Sequence, residues 1–183
     1  MLFEKNKLYV ENSYSKYIKS TNESLIKVRN SLSSKQDFDI FLSHSYDDRD
    51  YILKLVLILE TYGYSVYVDW IIDKTLSRDN VNENTAKTIK RRMKQSKCLI
   101  YATSENAYNS KWMPWELGYF DGFKDKVAIL PIANTHKEEY DGQEYLSLYP
   151  YVDEAPIKGQ SDNILWINYK NSESIKFDFW LNS

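Results

Sequence analysis

The chain has 183 residues, of which 43% are hydrophobic and 27% charged, and its 24 basic and 26 acidic side chains leave a formal charge of -2. That size suits one domain with a modest extension and buries enough surface to fold without a disulfide or a metal. The near-neutral balance gives no argument for nucleic acid or an anionic membrane as partner. No apolar run is long enough to span a bilayer, and the start, Met1-Leu-Phe-Glu-Lys-Asn-Lys7, lacks a signal-peptide core.

Residues 1–36 read differently from the rest. Tyr14, Ile18, Leu25, Val28 and Leu32 fall near one face of a 3.6-residue period, which predicts an N-terminal helical extension of one or two helices. A main domain is expected over 37–183. Phe38-Asp-Ile-Phe-Leu-Ser43 reads as its first strand. Ile52, Leu55, Val56, Leu59 and Tyr62 predict a helix from Asp48 to Tyr62, stopped by Gly63.

Val66-Tyr-Val-Asp69 reads as the second strand, and a polar loop over about 70–82 follows it. Lys74 and Arg78 of that loop could meet phosphate or serve only solubility, and Ser77 or Asn82 could cap a turn or the next helix. That helix is predicted from about 83 to 96, with Ala86, Ile89 and Met93 on one side.

The third strand is Cys98-Leu-Ile-Tyr-Ala102. Its cysteine, the chain's only one, reads as a buried and inert thiol in a reducing, cytoplasmic compartment. A helix over Trp112 to Phe123 carries Pro114 early, where a missing N–H costs least. Val127-Ala-Ile-Leu-Pro-Ile132 is the fourth strand.

Strands without strict alternation, separated by helices, predict an α/β fold with a parallel sheet covered on both faces. Beyond residue 133 the periodicity fades. Tyr145–Val152 and Leu165–Tyr169 read as edge strands or docked loops, and Phe177-Asp-Phe-Trp-Leu181 as a tethered tail.

In such a sheet, ligands bind beyond the carboxyl ends of the strands. Those ends carry Ser43, His44 and Ser45, then Asp69 and Trp70, then Thr103 and Ser104, while Glu116 lies in the first turns of the following helix. Trp112 and Glu116, four apart, share a helical face, and Trp115 flanks them. Glu116 admits two readings. One is an ordinary solvent-facing residue favoured by the helix dipole; the other is a carboxylate walled by aromatics, suited to a positive charge developing on a sugar.

His44 and His136 are remote from each other and from any ligand cluster, so no metal is expected. There is also no glycine-rich phosphate loop, dinucleotide fingerprint or Gly-x-Ser-x-Gly elbow.

Four boxes in order carry a family resemblance. They are Asp39-Ile-Phe-Leu-Ser-His-Ser-Tyr-Asp-Asp48, Gly63-Tyr-Ser-Val-Tyr-Val-Asp-Trp70, Ser96-Lys-Cys-Leu-Ile-Tyr-Ala-Thr-Ser104 and Ser110-Lys-Trp-Met-Pro-Trp-Glu-Leu-Gly118. The chain resembles the TIR (Toll/interleukin-1 receptor) domain family in its bacterial branch, and is similar to the Thoeris anti-phage defence members. The resemblance implies a flavodoxin-like fold, with about five parallel strands and helices on both faces.

It further implies cleavage of the nicotinamide–ribose bond of NAD, as substrate and with no cofactor. The expected product is a cyclic ADP-ribose isomer or related signal nucleotide that reaches a separate effector protein. Trp112-Met-Pro-Trp-Glu116 matches the family's Trp-x-x-x-Glu pattern, whose glutamate is catalytic. Ser43, His44, Asp69, Trp70, Ser104, Trp112 and Trp115 are the accompanying candidates for contact with substrate. A homo-oligomer is expected, and neither nucleic acid nor membrane as partner. The alternatives are a non-enzymatic TIR interaction module, built on the 70–82 loop and the N-terminal helices, or an enzyme like a nucleoside deoxyribosyltransferase.

Overall fold

The computed structural model of the protein describes residues 2–8, 23, 26, 36–73, 82–133 and 144–183. Strands are numbered along the chain from β1 (Phe3–Glu4), and helices from α1 (Lys5–Leu8). The spine of the molecule is β2 (Phe38–Ser43), β4 (Ser96–Thr103) and β5 (Val127–Ala133), whose side chains are buried almost throughout. Such runs are satisfied only between two covering layers, which suits parallel pairing. With β3 (Val66–Tyr67) and β6 (Tyr151–Pro156) they form a parallel path in the order β3-β2-β4-β5-β6. The result is a mixed, mostly parallel sheet flanked by helices, consistent with a flavodoxin-like TIR fold.

The sheet has more strands than the sequence predicts. β7 (Asn163–Asn168) and β8 (Ser174–Lys176) extend it antiparallel beyond β6, and β1 lies parallel to the carboxyl end of β5, Phe3 opposite Ile132. In β7 only Leu165 and Ile167 are buried, the alternation of a half-covered antiparallel strand. Phe177–Asn182 is a helix (here α6) and not a tethered tail. Phe177, Trp180 and Leu181 are buried, Phe177 meets the Tyr64 ring at 4.8 Å, and Lys126 Nζ donates to the Trp180 carbonyl at 3.0 Å.

The helix α2 (Arg49–Thr61) buries Ile52, Leu53, Leu55, Val56 and Leu59. Gly63, at φ 90°, takes the left-handed conformation that ends it, with Gly63 N–H donating to Glu60 O and Tyr64 N–H to Leu59 O. The second strand is shorter than predicted. Asp69 opens the short helix α3 (Asp69–Ile72) instead of closing a strand.

Asn82 caps α4 (Glu83–Lys94) by accepting from Thr85 N–H at 2.9 Å. The last central helix is α5 (Trp112–Lys124), which packs on β2, β4 and β5. No helix among the described residues is long and apolar enough to cross a membrane. Tyr14, Ile18, Leu25, Val28 and Leu32, together with Lys74, Ser77, Arg78 and His136, lie outside the described residues.

Candidate active site

The carboxyl ends of β2, β3 and β4 and the first turns of α5 converge on one rim. The α5 helix buries Met113, Glu116, Leu117 and Phe120, a spacing of one apolar face. Glu116 therefore occupies a core position, and its exposure is 0%. The solvent-facing reading of this residue is excluded. Pro114 sits in the first turn, where its lost donor has no intrahelical acceptor, and Met113 N–H is met by Ser110 Oγ at 3.3 Å.

Ser43 ends β2 and is also 0% exposed. Its hydroxyl donates to Glu116 Oε2 at 2.6 Å, joining two elements 73 residues apart. A buried carboxylate needs such donors, because leaving charged oxygens unmet in an apolar layer is costly.

His44 and Trp70 form a second pair. Trp70 Nε1–H donates to His44 Nε2 at 2.9 Å, so that nitrogen carries no proton. The ring proton then sits on Nδ1, which lies 2.9 Å from the Leu42 carbonyl and donates to it. Asp69 Oδ1 is 3.8 Å from Nε2, an ion-pair distance that would require a protonated ring. The Trp70 bond is the shorter and needs a neutral ring, so we assign the neutral Nδ1–H tautomer.

Ser104 is turned elsewhere. Its hydroxyl donates to Asp48 Oδ2 and its oxygen accepts from Asn106 N–H at 3.1 Å, while Asn106 Nδ2 donates to Asp48 Oδ1 at 2.7 Å. Asp48, buried on the turn after β2, thus clamps the β4–α5 connection that aims Glu116. Sequence reading placed Asp48 as a helix start and as the end of the first box, with no role in the site.

The tryptophans of α5 are half-buried and pack along it. Trp112 meets Trp115 edge-on at 5.4 Å, and Trp115 stacks on Tyr119 at 5.8 Å. Lys90 Nζ of α4 lies over both Trp115 and Tyr119, at 5.7 and 5.2 Å from their ring centroids. Trp115 is thereby engaged with its own helix and with α4.

The end of α3, at Asp73, is anchored by a cluster absent from the sequence reading. Arg92 Nε and Nη2 each donate to the Asp73 carboxylate at 2.8 Å, and Tyr67 Oη donates to Asp73 Oδ2 at 2.8 Å. Burial alone would raise the Asp73 carboxyl, but the Arg92 and Tyr67 bonds outweigh it and hold it below the usual carboxylate range. The same bonds raise Arg92, and burial with the adjacent Asp73 charge pushes the Tyr67 hydroxyl up. Burial likewise pushes the Cys98 thiol up, so it is not a nucleophile.

Comparison with known proteins finds relatives of this chain. A protein of Bacillus cereus (strain MSX-D12), named "Probable 3' cyclic ADP-D-ribose synthase ThsB'", is 50% identical over 145 residues, covering 79% of this chain and 75% of that protein. "Putative cyclic ADP-D-ribose synthase TIR2" of Cytobacillus dafuensis is 35% identical over 49% of this chain and 24% of its own length. "Probable 2' cyclic ADP-D-ribose synthase TcpO" of Methanobrevibacter olleyae is 32% identical over 62% of this chain and 33% of its own. The chain thus spans a third or less of the latter two. The family model described as TIR domain matches residues 40–173, which include every strand-end residue described above. With that match over most of its length, the chain belongs to the TIR domain family.

Proposed function

We propose that the protein cleaves the nicotinamide–ribose bond of NAD and closes the remainder into a cyclic ADP-ribose isomer, with Glu116 as the catalytic carboxylate. The observation that carries this reading is the burial of Glu116 within an apolar helix stripe, bonded to Ser43 at the strand-end rim. A carboxylate at a core position is costly to bury, and a reaction that develops positive charge on a ribose gives it a use. The names of the relatives, cyclic ADP-D-ribose synthases, support the same chemistry.

Nicotinamide leaves as a neutral molecule from a pyridinium glycoside, taking the electron pair of the broken C1′–N bond. No strong general acid is needed. The developing oxocarbenium ion needs an anion beside it and control over the competing nucleophile. Glu116 supplies the anion. Trp70, held by His44, and Trp112 narrow the access of water, so that a group of the same molecule attacks C1′ and closes the ring. When that nucleophile is a hydroxyl, its proton leaves with ring closure. The relative at 50% identity points to the 3′ isomer as the product.

On this reading the fold is a flavodoxin-like TIR domain over 37–183, with an extension over 1–36 whose β1 joins its sheet. The product acts as an anti-phage signal read by a separate effector, and the enzyme works as a cytoplasmic homo-oligomer. Incubation of the purified protein with NAD, with separation and mass measurement of the products, tests it. The expected products are nicotinamide and a nucleotide one water lighter than ADP-ribose, co-eluting with the 3′ standard. Linear ADP-ribose alone would overturn the cyclase assignment, and no nicotinamide release from the oligomeric protein would overturn the activity.

A further inference from the structure

We infer that Ser43 is a positioning residue for Glu116, fixing the rotamer and the accepting oxygen of its carboxylate, and does not itself touch the sugar. The inference rests on the reading of Glu116 as the catalytic group and adds the means by which it is held. Ser43 closes β2, which is paired on both sides, with β3 and with β4. Its own register partner is Tyr101, on β4. Both side chains are 0% exposed, and the 2.6 Å bond has the length of a charge-assisted hydroxyl–carboxylate bond.

A serine has one proton to donate. Given to Glu116 Oε2, it makes that oxygen an acceptor and disfavours a proton there. It also stops rotation of the carboxylate about its last torsion, which is otherwise broad and soft. Glu116 reaches the rim from α5 by a side chain with three torsions. Ser43 is the short tether, set on a neighbouring element, that removes that freedom.

A purely structural role fits the chemistry less well. A buried polar pair in an apolar layer is seldom more stable than an apolar pair of the same shape. Direct binding of substrate by Ser43 is also disfavoured, since its single hydroxyl proton is already committed to Glu116.

The test compares wild type, Ser43→Ala and Ser43→Thr by steady-state NAD cleavage, melting temperature and a carboxyl titration. For the last, protein carrying 13C-labelled glutamate side chains is followed by NMR, with the Glu116 signal identified by its loss in Glu116→Gln. Ser43→Ala is expected to lower kcat by about 10- to 100-fold with KM little changed, as a misplaced catalytic group does. The acid limb of its rate profile, and the Glu116 titration midpoint, should both move to higher pH, because a donor to the charged form is lost. Ser43→Thr, which keeps the hydroxyl, should recover most of the rate.

A rise in KM at constant kcat would overturn the inference in favour of substrate contact. A Glu116 midpoint unmoved in Ser43→Ala would overturn it as well, whatever the enzyme turns over. An inactive wild type counts against the NAD reading instead, and the titration still decides whether Ser43 sets the state of Glu116.

Discussion

Glu116 takes a place in α5 that Met113, Leu117 and Phe120 mark as apolar. A carboxylate there is sustained by neighbours such as Ser43, and the arrangement trades stability for a poised charge. The double variant Ser43→Ala/Glu116→Leu should therefore melt at or above the wild-type temperature while losing NAD cleavage, as checked by thermal unfolding beside an activity assay. His44 acts on Trp70 in a similar way, through an acceptor nitrogen at 2.9 Å. His44→Gln places an amide oxygen where Nε2 accepts, and Trp70→Phe keeps a ring but removes its donor. His44→Ala should raise KM for NAD by roughly tenfold, the worth of one hydrogen bond, and His44→Gln by less. The rim was legible in the sequence because strand ends and helix starts can be located by period. The bond between residues 43 and 116 was not, since periodicity gives the face of an element and not its partner across the sheet. That the 113, 117 and 120 positions enclose residue 116 was readable, and it argues against a surface glutamate.

Among the elements, the end of α3 is tied by a single carboxylate, Asp73. Asp73 accepts from Arg92 on α4 and from Tyr67 on β3, so one carboxylate joins three pieces of structure. With its carboxyl held below the ordinary range, Asp73 contributes stability that is present above the unfolded value, near roughly 4. That contribution is lost as pH falls through the lower folded value. Asp73→Asn should cost about 1–3 kcal/mol at neutral pH, the worth of hydrogen bonds to a charged group. Urea unfolding at pH 7 and again in acid should show the difference between variant and wild type shrinking once the native carboxyl is protonated. A difference that stays constant with pH would mean that shape, not charge, holds the junction. No pattern in the sequence signals this cluster. Its members stand 6 and 19 residues from Asp73, on elements of different kinds.

For the whole molecule, the order of the main strands and helices from Phe38 to Ala133 was legible, because most of them are long enough to show their period, the short β3 and α3 excepted. Past that point the elements are short and their environments mixed. The helix Phe177–Asn182 has fewer than two turns, too few for a 3.6-residue repeat to appear, yet it carries three buried apolar side chains into the sheet. Phe177→Ala should destabilise the fold by about 3–5 kcal/mol, measured by urea unfolding, whereas a true tail would tolerate it. The near-complete burial of β2, β4 and β5 fixes the rim on which Ser43, His44, Trp70 and Glu116 stand, and the central claim is that this rim breaks the nicotinamide–ribose bond. Nicotinamide release from NAD by wild type and by Glu116→Gln, an isosteric change at a buried position, tests it most directly. The account predicts that the variant folds, melts near the wild-type temperature and releases nicotinamide about 10²–10³-fold more slowly; equal rates from the two proteins would contradict it.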